Sequence, residues 1–280
     1  MAVQITAMKE SHLAAARELT QRLNWPHREA DWQQALRLGE GVVAEEDGRL
    51  LGTTLLWRWG GDYASLGLVI VADDAQGKGI GKSLVQAALT ASEGSSMRLH
   101  ATEAGKGLYE KLGFVVTGEI AQHQSRELAE FAPILPEPGI KLRPARPEDA
   151  AALTTLDTQA HGQFRPRLIA MLLKSTARML VLETQGRLSG FACLRRFGHG
   201  YALGPVICRD LAQAKVLVSE LLCGLQGQFV RIDTDSSYGL SPWLTSLGLY
   251  EVDRPTAMLR GAPWQPDGML AFGLMSQAMA

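Results

Sequence analysis

The residues best placed by type and spacing to do chemistry are Gln76-Gly77-Lys78-Gly79-Ile80-Gly81, followed by Lys82 and Ser83. Glycines at alternate positions leave three places without a Cβ, just before Leu84, Val85, Ala88 and Leu89, whose spacing marks one face of a helix. An apolar, β-branched run at 66–71 precedes them and ends in the turn Ala72-Asp73-Asp74-Ala75. Strand, glycine loop and helix therefore follow in order. The first turn of a helix carries N–H groups with no intrahelical partner, and the dipole adds partial positive charge, so such an end holds anions. With no side chains at Gly77, Gly79 and Gly81, phosphate oxygens can approach those donors, and Lys78 and Lys82 supply flanking charge. A plain strand-to-helix turn also uses glycine; the ordered context on both sides favours the anion site.

Spacing separates three phosphate-loop readings. A nucleoside triphosphate loop requires G-x-x-x-x-G-K-[ST]; Gly81, Lys82 and Ser83 supply its end, but the first glycine would fall at Gln76. A dinucleotide fingerprint requires G-x-G-x-x-G, whereas this chain has G-x-G-x-G and no following βαβ unit with an acid at the expected distance. What fits is Val71 followed by Gln76, Gly77, Gly79, Ile80 and Gly81. This pattern resembles the coenzyme A loop of the GNAT superfamily of acyltransferases, a strand valine and short turn before [QR]-G-x-G-[IL]-[GA]. Asp73 departs from the proline of many members, which changes turn stiffness. About 30 residues further on, Leu108-Tyr109-Glu110-Lys111-Leu112-Gly113-Phe114 resembles the second signature segment of that superfamily.

The elements that must position these motifs are read from periodicity. Strands are predicted at 3–6, 42–46, 50–59, 66–71, 97–101, 114–117 and 120–127, and helices at 11–23, 29–38 and 106–112, with Asp47-Gly48 turning a hairpin. Pro133, Pro136, Pro138 and Gly139 mark a linker. Beyond it the same unit recurs at an offset near 137. Ile140-Lys141-Leu142-Arg143 repeats Val3-Gln4-Ile5-Thr6, and 179–190 repeats 42–52 around a shared G-R-L-x-G core. Gly204-Pro205-Val206-Ile207-Cys208 parallels 67–71, and Leu247-Gly248-Leu249 parallels Leu112-Gly113-Phe114. The copies part at the loop, where Arg209-Asp210-Leu211-Ala212-Gln213-Ala214 contains no glycine. The second copy is therefore expected to keep the fold without the coenzyme site. The organisation expected is a GNAT domain at 1–131, a linker at 132–139 and a degenerate GNAT-like domain at 140–280. The tail from Arg260 resembles the end of a C-terminal domain found in some tandem GNAT proteins.

The resemblance implies an α/β fold of two tandem domains, each a mostly antiparallel sheet splayed at its centre and flanked by helices. It implies transfer of an acetyl group from acetyl-CoA to a primary amine of a small molecule, peptide or protein, by direct attack in a ternary complex. Val69, Ile70 and Val71 would pair with the pantetheine arm as with an added strand, and backbone at Leu68 or Val69 would polarise the thioester carbonyl. Gln76, Gly77, Lys78, Gly79, Ile80, Gly81, Lys82 and Ser83 would hold the diphosphate, with no metal. Tyr109 would protonate the departing thiolate; a phenol near pKa 10 giving a proton to a thiolate near 8.5 is uphill by only about 2 kcal/mol. The base stays open among Glu103, His100, Asp62 and water. An acceptor pocket is expected near Trp25, His27, Trp57, Trp59 and Tyr63, with Asp233, Asp235 and Tyr238 reaching it from the second copy or serving as caps. The alternative is an acyl-CoA-binding sensor or scaffold that has lost turnover.

Composition sets outer bounds. Among 280 residues, 46% are apolar and 20% charged with a net charge of −1, so no electrostatic footprint for nucleic acid or an anionic membrane is present. The partner expected is a small-molecule amine, with no oligomeric state fixed. No apolar run reaches the roughly 18 residues of a span, and MAVQITAMKE lacks the blocks of a signal peptide, so the cytoplasm is expected. Cys193, Cys208 and Cys223 have no zinc spacing and are expected to be reduced packing residues.

Overall fold

The apolar runs become strands of one continuous sheet. The computed structural model describes residues 2–279. The first half runs β1 (Gln4–Ala7), α1 (Leu13–Arg22), α2 (Glu29–Leu38), β2 (Glu40–Glu46), β3 (Arg49–Trp59), β4 (Tyr63–Val71), α3 (Ile80–Ala91), β5 (Ser96–Ala101), α4 (Glu103–Lys111) and β6 (Val115–Ser125). The second half repeats this order as β7 (Ile140–Pro144), α5 (Ala150–His161), α6 (Pro166–Ser175), β8 (Arg178–Thr184), β9 (Arg187–Phe197), β10 (Gly200–Cys208), α7 (Leu211–Leu222), β11 (Val230–Asp235), α8 (Ser241–Ser246), β12 (Tyr250–Asp253) and β13 (Thr256–Arg260). A final strand, β14 (Leu270–Gly273), has no counterpart in the first half.

Pairing is mostly antiparallel, as the run of hairpins requires. The exceptions are β4 with β5 and β10 with β11, which are parallel and touch only at one end: 63–65 against 96–98, and 201–203 against 230–232. Beyond those pairs the two strands part, so each half carries the central splay that the resemblance implied.

The sheet order is β1-β2-β3-β4-β5-β13-β6-β11-β10-β9-β8-β7. Strand β13 of the second half lies between β5 and β6 of the first, antiparallel to both. In return β6 pairs β11 along 120–125 and β12 along 122–124. The repeat offset maps β6 onto β12 and β13, so the two copies exchange their last strands. This explains why 114–117 and 120–127, expected as two strands, form one: β6 serves β13 with its first part and β11 with its second.

The core follows the exchange. The largest apolar cluster joins Trp32, Leu55 and Trp57 of the first half to Leu153, Leu168 and Phe191 of the second. Fully burying such side chains contributes about 1.5–3 kcal/mol each, so this shared core ties the halves together. Cys193 and Cys208 are buried within the second half, where desolvation pushes their thiols up, consistent with inert packing. Among the described residues no helix is long and apolar enough to cross a membrane.

Candidate functional site

The site begins at an irregularity in β4. Its register with β3 slips between Leu55↔Gly67 and Thr53↔Ile70, where β4 carries one extra residue, and Leu68 adopts φ +53°. That left-handed conformation costs a leucine about 1–2 kcal/mol. Two threonines of β3 hold it: the Thr53 hydroxyl donates to the Leu68 carbonyl at 2.8 Å, and Thr54 donates to the Gly67 carbonyl at 3.4 Å. The bulge turns backbone out of the ladder where the strands part. Among the described residues, no strand pairs with the other edge of β4 from Leu66 to Val71.

That open edge leads into the glycine loop. Gln76 reaches back, its side-chain amide donating to the Val71 carbonyl and to Asp73 Oδ1, both at 3.2 Å. Gly77 and Gly79 adopt φ +75° and +81°, and a Cβ on either would meet no atom within 4 Å. Their lack of side chains serves the backbone turn and leaves open space in front of it, rather than making room for packing. Helix α3 starts at Ile80 with no side-chain cap, leaving the N–H groups of Ile80, Gly81 and Lys82 without i−4 partners. Ser83 turns both its N–H and its hydroxyl onto the Gly79 carbonyl, at 3.0 and 3.3 Å, and so closes the first turn. An unpaired strand edge, a left-handed glycine turn and an uncapped helix end suit an extended amide-bearing arm ending in a diphosphate.

Beside the bulge lies a cavity of about 200 Å³ formed by both halves. The first half contributes Asn24, Trp25, Pro26 and His27 from the α1–α2 connection, Gly67 and Leu68 from β4, His100 and Thr102 from the end of β5, and Gln122 and Gln124 from β6. The second contributes Arg195, Phe197, Ala202, Arg231, Asp233, Asp253 and the tail residues Met275, Ser276, Gln277 and Ala278. Charges inside are paired or tied to backbone. Arg231 binds Asp233 through Nε and Nη2 at 3.0–3.2 Å. The buried Arg195 guanidinium donates to the carbonyls of Gly204 and Met275. The Gln277 amide bridges Gln122 Oε1 and Asp233 Oδ1, at 3.0 and 3.1 Å.

Both imidazoles of the cavity are neutral at physiological pH. Burial, which the Asp31 charge opposes and the Arg231 charge reinforces, lowers His27 to about 4. Burial and the Arg98 charge lower His100 to about 3, against a hydrogen bond to the Gln277 carbonyl. The His27 ring meets Phe197 edge-on at 5.1 Å and Trp25 at 6.2 Å.

Of the residues expected near the acceptor, Trp25, His27 and Asp233 line this cavity, as do Leu68 and His100. Trp57 and Tyr63 do not. Trp57 is fully buried with its indole donating to the Ala35 carbonyl at 2.9 Å, and Tyr63 packs edge-on against Trp264 at 6.0 Å. Trp59 donates to Ser65 Oγ at 2.8 Å. Asp235 caps a short turn by accepting from Ser237, and Tyr238 packs against Phe272. Glu103 and Asp62 are exposed and line no part of the cavity. Tyr109 sits in a separate apolar cluster with Val85, Leu99 and Phe114, and burial pushes its phenol up to about 12.

Sequence reading missed Arg195, Phe197, Arg231, Gln122, Gln124 and the tail. One signal was present: an arginine pair, Arg195-Arg196, closes the apolar run of β9. Nothing local in residues 274–279 announces that they reach back into the first half.

The corresponding place in the second half is built differently. Strand β10 has lost the open edge, because β14 pairs with it antiparallel, Val206↔Gly273, Ile207↔Ala271 and Cys208↔Leu270. Helix α7 is capped by Asp210, whose side chain accepts from the Gln213 N–H at 2.9 Å. An added strand and a carboxylate therefore stand where the first half offers a bare edge and bare donors.

Comparison with known proteins agrees with this duplicated architecture. The pattern of the acetyltransferase (GNAT) domain matches the chain twice, at residues 37–116 and 153–271. An uncharacterized N-acetyltransferase, YitH of Bacillus subtilis (strain 168), is 28% identical over 99% of this chain and 98% of its own. A crystal structure of a Pyrococcus horikoshii protein superposes with a TM-score of 0.80 at 20% identity, over 99% of this chain and 96% of that one. The tandem GNAT protein of the clavulanic acid biosynthesis pathway superposes with a TM-score of 0.68 at 13% identity, over 94% of this chain and all of its own.

Proposed function

The chain belongs to the GNAT acetyltransferases as a tandem of two such domains, and from that premise we propose that it transfers an acetyl group from acetyl-CoA to a primary amine of a small molecule, at one coenzyme site, in the first half. The observation that carries this reading is the bare edge of β4 running into the Gly77 and Gly79 turn and the uncapped start of α3. The donor's extended arm lies along Val69, Ile70 and Val71 as an added strand, and its diphosphate meets the N–H groups at 80–82, with Lys78 and Lys82 beside it.

The thioester carbonyl then falls at the bulge, where backbone N–H at Leu68 or Val69 stabilises the negative charge that develops on oxygen. One such donor is worth about 3–4 kcal/mol in a water-poor site. The amine comes from the cavity on the other side of the splay, so attack is direct and needs no acylated side chain. As nitrogen bonds to the carbonyl carbon, sulfur leaves and must gain a proton. Tyr109, kept protonated by its burial, is the donor proposed for that step. Burial that raises the phenol makes this transfer more uphill than in water, and a thiolate desolvated beside it offsets part of that cost.

The test is release of CoA from acetyl-CoA in the presence of an amine panel, with calorimetry for stoichiometry. One equivalent of CoA per chain and amine-dependent release are expected. Tyr109→Phe lowers kcat about 10–100-fold with little change in CoA affinity. Tight binding with no amine-dependent release, and no effect of Tyr109→Phe, identifies an acyl-CoA-binding sensor instead.

A further inference from the structure

The splay encloses an imidazole beside the reaction site whose proton position can be assigned. His100 Nδ1 lies 2.8 Å from the Gln277 carbonyl, and a carbonyl only accepts, so the proton resides on Nδ1 and Nε2 carries the lone pair. Nε2 is buried and, among the described residues, has no hydrogen-bond partner. The ring lines the cavity together with Gly67 and Leu68, the bulge at which the thioester carbonyl is placed. Gln277 belongs to the C-terminal tail, so the second half fixes the tautomer of a first-half histidine.

The charges around the ring decide what kind of donor it accepts. Arg98 acts on it from its own strand and is itself faced by Asp235; His161 lies near it from α5, and beyond His161 the Arg165 guanidinium is paired with Asp157. Across the cavity stand His27, Arg195 and the Arg231–Asp233 pair, with Asp253 on β12. Asp233 is already held by Arg231 and Gln277, and Asp253 Oδ1 accepts from the Arg254 N–H. Among the described residues no carboxylate pairs with His100. The local field is positive or balanced, and it disfavours an ammonium at this position while leaving a neutral N–H welcome.

Building on the acyl-transfer reading, we propose that the cavity takes an acceptor of low basicity, whose nitrogen keeps an appreciable uncharged fraction near neutral pH, such as an α-amine, amino sugar or aryl amine, and that its N–H donates to His100 Nε2. That bond turns the nitrogen lone pair toward the carbonyl at the bulge. The C–N bond forms, the C–S bond breaks, and the one proton nitrogen loses equals the one sulfur gains; His100 orients the N–H and keeps no proton. At pH 7 an α-amine of pKa near 7.8 is neutral roughly 10²–10³ times more often than a lysine-type amine of pKa near 10.4.

The full chain is assayed for CoA release with glucosamine and an α-amino amide against Nα-acetyl-lysine amide and a diamine. Expected at pH 7 is a kcat/KM about 100-fold higher for the first pair, rising with pH up to each acceptor's own pKa. His100→Phe lowers acceptor kcat/KM about 10–100-fold, with donor KM and CoA retention unchanged. His100→Gln, which sets an amide oxygen near the place of Nε2, recovers part of the loss. The basic amines matching or outrunning the others overturns the proposal, as does indifference to His100→Phe in a folded variant. The acceptor ranking and pH profile of the unmodified chain decide the matter even where a variant does not fold. Retention of acetyl-CoA with no release by any amine overturns the acyl-transfer reading, and this one with it.

Discussion

Strands β4 and β10 arise from the same position in a duplicated unit, yet one is open and the other covered. Both pair in parallel with their neighbours at one end and then splay. At β10 the vacated edge is filled by β14, and the tail crosses Gly204 so closely that a Cβ there would meet the Leu274 carbonyl. The tail then continues to the first half, where Ala278 passes within 2.7 Å of the place a Gly67 Cβ would occupy, and Ser65 Oγ donates to the Met279 carbonyl at 3.2 Å. One segment thus occupies the second splay as a strand and enters the first as a wall of the cavity. The difference teaches that an unpaired strand edge inside a fold has two stable outcomes, a bound extended ligand or the chain's own residues, because its N–H and C=O groups must be satisfied either way.

The largest effect that can break this comparison is at the loop. Gly79→Val forces a β-branched residue into φ +81° and fills the open space before the α3 donors, so retention on immobilised CoA is expected to fall more than 100-fold. Retention at the unmodified level would place the coenzyme elsewhere. In the second half, Phe272→Ala removes a buried ring from β14 and should cost about 3–5 kcal/mol in denaturant unfolding. A loss below about 1 kcal/mol would mean that β14 is a weakly held cover rather than part of the core.

Acidification probes the cavity between the halves. His27 and His100 are lowered to about 4 and 3, and burial together with the charges of Arg165 and Arg98 holds His161 well below its ordinary value. Below pH 6.5 the unfolded chain takes up protons that these buried rings refuse, so stability is complete above that value and falls as pH drops toward 4. The slope approaches about 1.4 kcal/mol per pH unit for each ring. Unfolding midpoints measured from pH 7 to 4 check this, and His100→Gln should remove one ring's share. A flat profile would contradict the enclosure of these groups. The smallest effect belongs to the cap of α7: Asp210→Ala should cost about 1 kcal/mol by thermal unfolding and leave CoA binding untouched.

Much of this was legible in the chain itself. The G-R-L-x-G repeat, the Asp47-Gly48 hairpin and the glycine loop fixed the two copies, their strands and the half that keeps the loop, because each depends on neighbours a few residues apart. The aromatic residues were read less well. Trp25 and His27 face the cavity while Trp57 packs under α2, since in a strand buried on both faces, as β3 is, alternation no longer tells cavity from core.

What the sequence determined by itself is the local grammar: a strand edge ending in glycines that take positive φ, a helix without a cap, and a second copy that lost them. What tertiary structure alone decided is which segments lie beside which. The exchange of β13 and β6 and the reach of Gln277 to His100 cross from one copy to the other, and the seating of β14 on β10 joins segments far apart in the second copy. Two units of the same fold offer nearly equivalent partners for each strand. The choice between them rests on the closure of one shared core, a property of the whole chain that no local spacing encodes.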